Sequence, residues 1–319
     1  MKCRGLLPSR GPLFAALTCL AVAGVGSVAA AQEGDWYPSP WGPGDERGAA
    51  NRLTPAKVLD AKALIERGQV YQLGRVYRPD MPVFGDRIYE MRILEIGPIA
   101  ENRLTAHEGY FTGELDQVGT QFDALGHIGI GDYFFNGFHH RDLGNEHGLT
   151  HLGVEQVGPI VSRGVLIDVA GYKGVSQLEA GYEITAADLR GALERQGTEI
   201  EEGDAVLIHT GWGSNWTTDS AKYYGAGPGI GLEAAQFLID EEIVMVGSDN
   251  AGVEVVPNPD PSLVFPVHQL LLTQNGIYLL ESIITEELAR DRAYEFAFVF
   301  APLRLKGASG SPGNPIAIR

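Results

Sequence analysis

From residue 164 to residue 300 the sequence repeats one pattern, a nearly continuous apolar run followed by a segment with helical spacing. Gly164 to Ala170, Asp204 to His209, Ile243 to Gly247, Ile277 to Leu280 and Tyr294 to Phe300 read as strands. Between them, Ala186 to Gln196 reads as a helix capped by Thr185 and ended by Gly197. Leu232 to Ile239 and a stretch near Val267 to Thr273, with Gly276 behind it, read the same way. Strands that lack polar alternation are buried on both faces, so helices must cover both sides of the sheet. The pattern therefore predicts an α/β fold with mixed sheets covered by helices. Upstream, Thr54 and Pro55 open one more helix, Ala56 to Arg67, which Gly68 stops. Asp35 to Gly44 is too rich in Gly, Pro and Trp for regular structure and is expected to wrap over the surface. No internal repeat, low-complexity linker or charge block divides the chain, and residues 32–319 read as one domain.

Residues 1–31 read as a signal peptide. Lys2, Arg4 and Arg10 form a basic start, Leu13 to Val28 an apolar stretch, and Ala29-Ala30-Ala31 a small-residue cleavage site. Gly24, Gly26 and Ser27 interrupt the apolar stretch, which argues against a membrane span and against stable membrane insertion. The expected location is therefore exported, periplasmic or secreted. Both cysteines, Cys3 and Cys19, fall in the removed part, so the mature chain has no disulfide and no thiol nucleophile or ligand. Removing the leader moves the formal charge from -17 to -20. That acidity speaks against nucleic acid and anionic membranes as partners.

Several common sites are absent: there is no Gly-x-Ser-x-Gly elbow and no Walker A loop. Gly225-Ala-Gly-Pro-Gly-Ile-Gly231 is glycine-rich but lacks the dinucleotide spacing, and it reads as a flexible turn feeding a helix. Of the eight histidines, His139, His140, His147 and His151 sit in a polar loop, His107 in a polar turn, and His209 at a strand end. His127 differs because Asp123, Gln121 and Gln117 precede it at short spacing, with Gly119 and Gly126 to tighten the loop. Such a segment can converge donors on one point, as a metal or a general base requires. His268 is the second candidate, thirteen residues before Glu281, whose carboxylate follows an apolar strand. A carboxylate there either faces water or needs a partner or metal.

At these residues the chain resembles the cyclase-like metal hydrolases, which include bacterial kynurenine formamidases and isatin hydrolase. The family pattern His-x-Gly-Thr-His-x-Asp-x-x-x-His is matched by Gln117-Val-Gly-Thr-Gln-Phe-Asp-Ala-Leu-Gly-His127. Its second landmark, a helical His, a Gly-Ile turn and a strand-end Glu, is matched by His268, Gly276-Ile277 and Glu281. Asp80 to Phe84, Val206 to Trp212 and Val246 to Asn250 agree as well. The resemblance implies a swivelling β/β/α cyclase-like fold and a divalent metal, zinc or manganese. Asp123, His268 and Glu281 would be its ligands and His127 the proton-transferring residue. Gln117 and Gln121 stand where relatives carry ligand histidines, and an amide oxygen is a weaker and harder ligand than imidazole. One metal on Asp123, His268 and Glu281, a harder ion using the Gln oxygens, and loss of metal are the three outcomes. The implied reaction is hydrolysis of a small amide, lactone or cyclic amide. A lyase or cyclisation enzyme and an exported binding protein are the alternatives, and the two Gln exchanges argue against kynurenine formamidase itself. Trp36, Trp41, Phe122, Phe134 and Phe135 are candidates for an aromatic wall around a small-molecule substrate, and a homo-oligomer is expected by analogy.

Overall fold

The computed structural model describes residues 36–319, so the expected leader, its cleavage site and both cysteines lie outside the described residues. A nine-stranded mixed sheet organises them. Its order is Val70–Gln72, Ile316–Ile318, Glu295–Phe300, Ile160–Asp168, Ala205–His209, Met245–Ser248, Tyr278–Glu281, Gln121–Asp123 and Gly310–Pro312. Ile160–Asp168 through Tyr278–Glu281 run parallel, and the flanking strands pair antiparallel. Val165, Leu166, Ile167, Val206, Leu207, Val246, Leu279 and Leu280 are fully buried at its centre. The uninterrupted apolar runs have this cause: a parallel strand covered on both faces has no wet side on which to place polar residues.

Helices Pro55–Ala63 and Ala186–Gln196 pack on Ile160–Asp168, and Leu232–Asp240 packs on Ala186–Gln196. Thr185 and Asp188 form a reciprocal capping box, and Gly197 ends that helix in the left-handed region. The α/β architecture is thus the expected one, with local corrections. The first helix stops at Ala63 rather than Arg67, because the Arg67 and Gln69 N–H groups donate to the Arg319 carbonyl and turn the chain into a strand. Val169 and Ala170 leave their strand for a short helix that Asp168 caps through Gly171 N–H. The segment after Pro266 is only briefly α-helical and continues as a π-helix over Gln269–Gln274. π turns are rare and concentrate at functional sites.

Several short elements escaped the sequence reading, and the two longest strands among them form one hairpin. Tyr89–Ile99 and Leu104–Gly113 form an antiparallel hairpin, and His107 lies in its second strand opposite Glu95, not in a turn. Most of its residues are exposed, including Ile93, Leu94, Tyr110 and Phe111. The glycine-rich segment feeds a helix as expected, and part of it is strand. Gly229–Ile230 pairs with Glu183–Ile184, and Gly231 precedes helix Leu232–Asp240. Among the described residues no helix is long and apolar enough to cross a membrane.

His209, at the end of its strand, is held by Asp249 and Thr285. Its Nδ1 lies 2.7 Å from Thr285 Oγ1 and 3.4 Å from the Asp249 carboxylate. Asp249 also accepts from Thr210 N–H at 3.0 Å and from Gly213 N–H at 3.4 Å. Burial opposes charge on both groups, yet their mutual attraction raises the His209 pKa and lowers that of Asp249. The His209 contribution to stability is therefore full below its ordinary value of 6.5 and is lost as pH rises through its folded value. The Asp249 contribution is present above 3.8 and is lost as pH falls through its own folded value. Asp249→Asn should cost about 3–5 kcal/mol at pH 6, measured by urea unfolding, as removing one partner of a buried pair does. The wild-type advantage should shrink above pH 6.5; an advantage constant to high pH would show that the pair is not what stabilises this corner.

Candidate metal centre

The strand Gln121–Asp123 lies between Tyr278–Glu281 and Gly310–Pro312. Alternation along it sends Gln121 and Asp123 to one face and Phe122 to the other. Phe122 accordingly stacks on Tyr278 at 5.0 Å and packs on Phe300 at 5.2 Å, fully buried in the core. That placement corrects its expected role at the substrate. The register sets Glu281 opposite Gln121 and Leu279 opposite Asp123, so the Glu281 carboxylate emerges beside the same polar face. Gln117, in the left-handed region at φ 61°, and Gly119 at φ 67° fold the preceding loop back over it.

The last member, His268, comes from the turn that starts the π-helix. Its Nε2 lies 3.2 Å from Glu281 Oε1 and 3.7 Å from Asp123 Oδ2. All three side chains are buried, and their ligand atoms lie within 4.8 Å of one another. Asp123 Oδ2 is a buried oxygen without a hydrogen-bond partner. The two glutamines bind the carboxylates. Gln121 Nε2 donates to Asp123 Oδ1 at 3.0 Å and to Glu281 Oε2 at 2.7 Å, and Gln117 Nε2 donates to Glu281 Oε2 at 2.8 Å. The Gln121 amide oxygen is taken by the Gln117 N–H.

His127 stands at the open side of the cluster, at the other carboxylate oxygen of Asp123. Its Nε2 is 3.8 Å from Asp123 Oδ1, and its Nδ1 is 3.9 Å from Asp116 Oδ2. Ser309 Oγ donates to that Asp116 oxygen at 2.6 Å. Burial drives the Asp123 carboxyl up to about 7, with Glu281 and Asp116 adding to the rise against His127 and His268. Burial opposes charge on His268, but hydrogen bonds to Glu254 and Glu281 outweigh it and push the imidazole up to about 10. A site that holds on to protons this strongly is short of positive charge.

Of the other candidates, Trp41 packs against the core under the Arg52 guanidinium, 5.1 Å from its ring, and Trp36 stands edge-on to Tyr37. Phe135 is in the core and Phe134 packs on it. The small cavity bordering the site, of about 40 Å³, touches Gln117 and Glu254 and is walled instead by Phe84, Tyr223, Tyr224 and Phe265. None of the expected aromatic residues lines it, Trp41 and Phe122 included. His139 and His140 approach Asp132 at the surface, in a separate group of three.

Two acidic residues beside the site were missed. Glu254 binds His268, and a charge inside the apolar run Val253-Glu-Val-Val256 was a signal for it, since such a carboxylate needs a buried partner. Asp116 sits in a polar stretch where nothing marks it.

The family model described as putative cyclase matches residues 71–255, more than half of the chain. A crystal structure described as a novel cyclase is 33% identical, with TM-score 0.80, over 88% of this chain and 96% of that one. Isatin hydrolase A from Ralstonia solanacearum shares the fold at 23% identity and TM-score 0.61, over 84% of this chain and 99% of that one. Isatin hydrolase of Roseibium aggregatum is 28% identical over 141 residues, which is 42% of this chain. The matched region spans about half of that curated relative, 52% of its length. The chain belongs to the cyclase family.

Proposed function

We propose that the protein is a metal-dependent hydrolase of a small amide, lactone or cyclic amide, with one divalent ion held by Asp123, His268 and Glu281. The observation that carries this reading is the convergence of three buried donors on one point, with Asp123 Oδ2 left without a hydrogen bond. Their separations of 3.2 and 3.7 Å also suit a common ion. Bonds of about 2.0–2.1 Å in a tetrahedron place ligand atoms about 3.3 Å apart. One imidazole and two carboxylates suit zinc or manganese. The donor chemistry fits, and the glutamines take a supporting part, since their N–H groups hold the Glu281 and Asp123 carboxylates in place.

When bound, the ion supplies Lewis acidity to a substrate carbonyl and lowers the pKa of water beside it. His127 is the group placed to move the proton. It takes one from the attacking water on a ring nitrogen and returns it to the leaving nitrogen or oxygen. Asp116, anchored by Ser309, faces the opposite ring nitrogen. The cavity beside Gln117 is walled by Phe84, Tyr223, Tyr224 and Phe265, which are the apolar groups placed to meet a substrate there. With the leader read at residues 1–31, the activity is exported. The apolar side chains left exposed on the hairpin support association of copies of the chain.

Metal analysis of the purified protein should find one divalent ion per chain, and chelation should abolish turnover until an ion is restored. Protein without metal that turns over equally well after chelation would refute the reading. His127→Ala should keep the ion yet lower kcat by about 10²–10⁴-fold. Product titration should show one new acid per turnover, whereas elimination or cyclisation would release none.

A further inference from the structure

Glu254 is 1% exposed, and His268 is its one ion-pair partner among the described residues. Its Oε1 accepts from His268 Nδ1 at 2.5 Å and from the His268 backbone N–H at 2.9 Å, and its Oε2 accepts from Val267 N–H at 3.3 Å. One carboxylate thus satisfies two N–H groups at the start of the Pro266–His268 turn, which have no partner inside it. An ionised carboxylate only accepts, so Nδ1 must carry the proton. Nε2 is then the ring atom presented to Asp123 and Glu281.

The backbone of Glu254 is fixed by the glycine-rich segment. Ile230 N–H donates to the Val253 carbonyl at 3.1 Å, and Val255 N–H donates to the Ile230 carbonyl at 3.2 Å. Gly227 and Val256 exchange both of their backbone hydrogen bonds. Gly229 packs directly on the Glu254 carbonyl, where any Cβ would collide with backbone. Asn250 adds a clamp, accepting from Val253 N–H at 2.7 Å.

We infer that Glu254 is the positioning residue of the metal centre, seated by Gly227–Ile230 and setting His268 so that Nε2 faces the ion held with Asp123 and Glu281. This rests on the proposed metal site. A carboxylate behind a ligating imidazole fixes its tautomer and orientation and raises its donor strength, and losing one typically weakens metal binding about 10–100-fold.

The test is Zn²⁺ affinity of the mature chain, read by competition with a chromophoric chelator, for wild type and for Glu254→Gln. The variant should bind about 10–100-fold more weakly. Nitrogen-15 NMR of the zinc-loaded wild type, which needs no variant to fold, should show His268 with a hydrogen-bonded Nδ1–H and zinc on Nε2. Equal affinity in Glu254→Gln, or zinc on Nδ1, would overturn the role of Glu254 while leaving the site standing. A wild type that binds no Zn²⁺ would overturn the site itself and this role with it.

Discussion

Three carboxylates, Asp123, Glu254 and Glu281, are buried around the single imidazole of His268, and the rest of the site follows from that crowding. Taking carboxylates out of water costs several kcal/mol each unless charge of the opposite sign or hydrogen bonds compensate. Here the compensation is layered. Backbone N–H groups and Nδ1 serve Glu254, glutamine amides serve Glu281 and one oxygen of Asp123, and the other Asp123 oxygen is left over. Protons held up to about 7 on Asp123 and about 10 on His268 supply part of the missing positive charge. A divalent ion would supply it where the three donors already meet.

The fold makes this crowding possible through one antiparallel pairing. Gln121–Asp123 lies against Tyr278–Glu281 in a register that brings Gln121 beside Glu281. Slipping that register by one residue would turn Asp123 into the core and Phe122 out of it. The packing of Phe122 on Tyr278 and Phe300 therefore holds that register from behind. On the other side, Gly229 lets a second chain segment close against Glu254, so the site is tied to backbone hydrogen bonds on that side as well.

The central strands could be read from sequence because burial on both faces leaves only apolar residues to write them with. Glu281 was legible for a related reason, being a carboxylate after an apolar run, and His268 was picked out through its spacing to Glu281 and the family resemblance. Phe122 was misread because a motif read as a string conceals the alternation of a strand, which turns every second residue away. The hairpin Tyr89–Ile99 and Leu104–Gly113 was missed because its charged and apolar residues interleave without a buried face to order them. The first helix was overextended because periodicity does not report that a distant carbonyl, that of Arg319, claims the N–H groups beyond its end. Gln117 and Gln121 were legible as departures, but their use as hydrogen-bond donors to carboxylates depends on pairings that only the folded chain makes.

Anomalous diffraction from crystals of the protein grown with Zn²⁺ or Mn²⁺ addresses the central claim most directly. One strong peak within bonding distance of Asp123 Oδ2, His268 Nε2 and Glu281 Oε1 is the expected result. A site without a peak at saturating ion, with His268 Nε2 still hydrogen-bonded to Glu281, would contradict it.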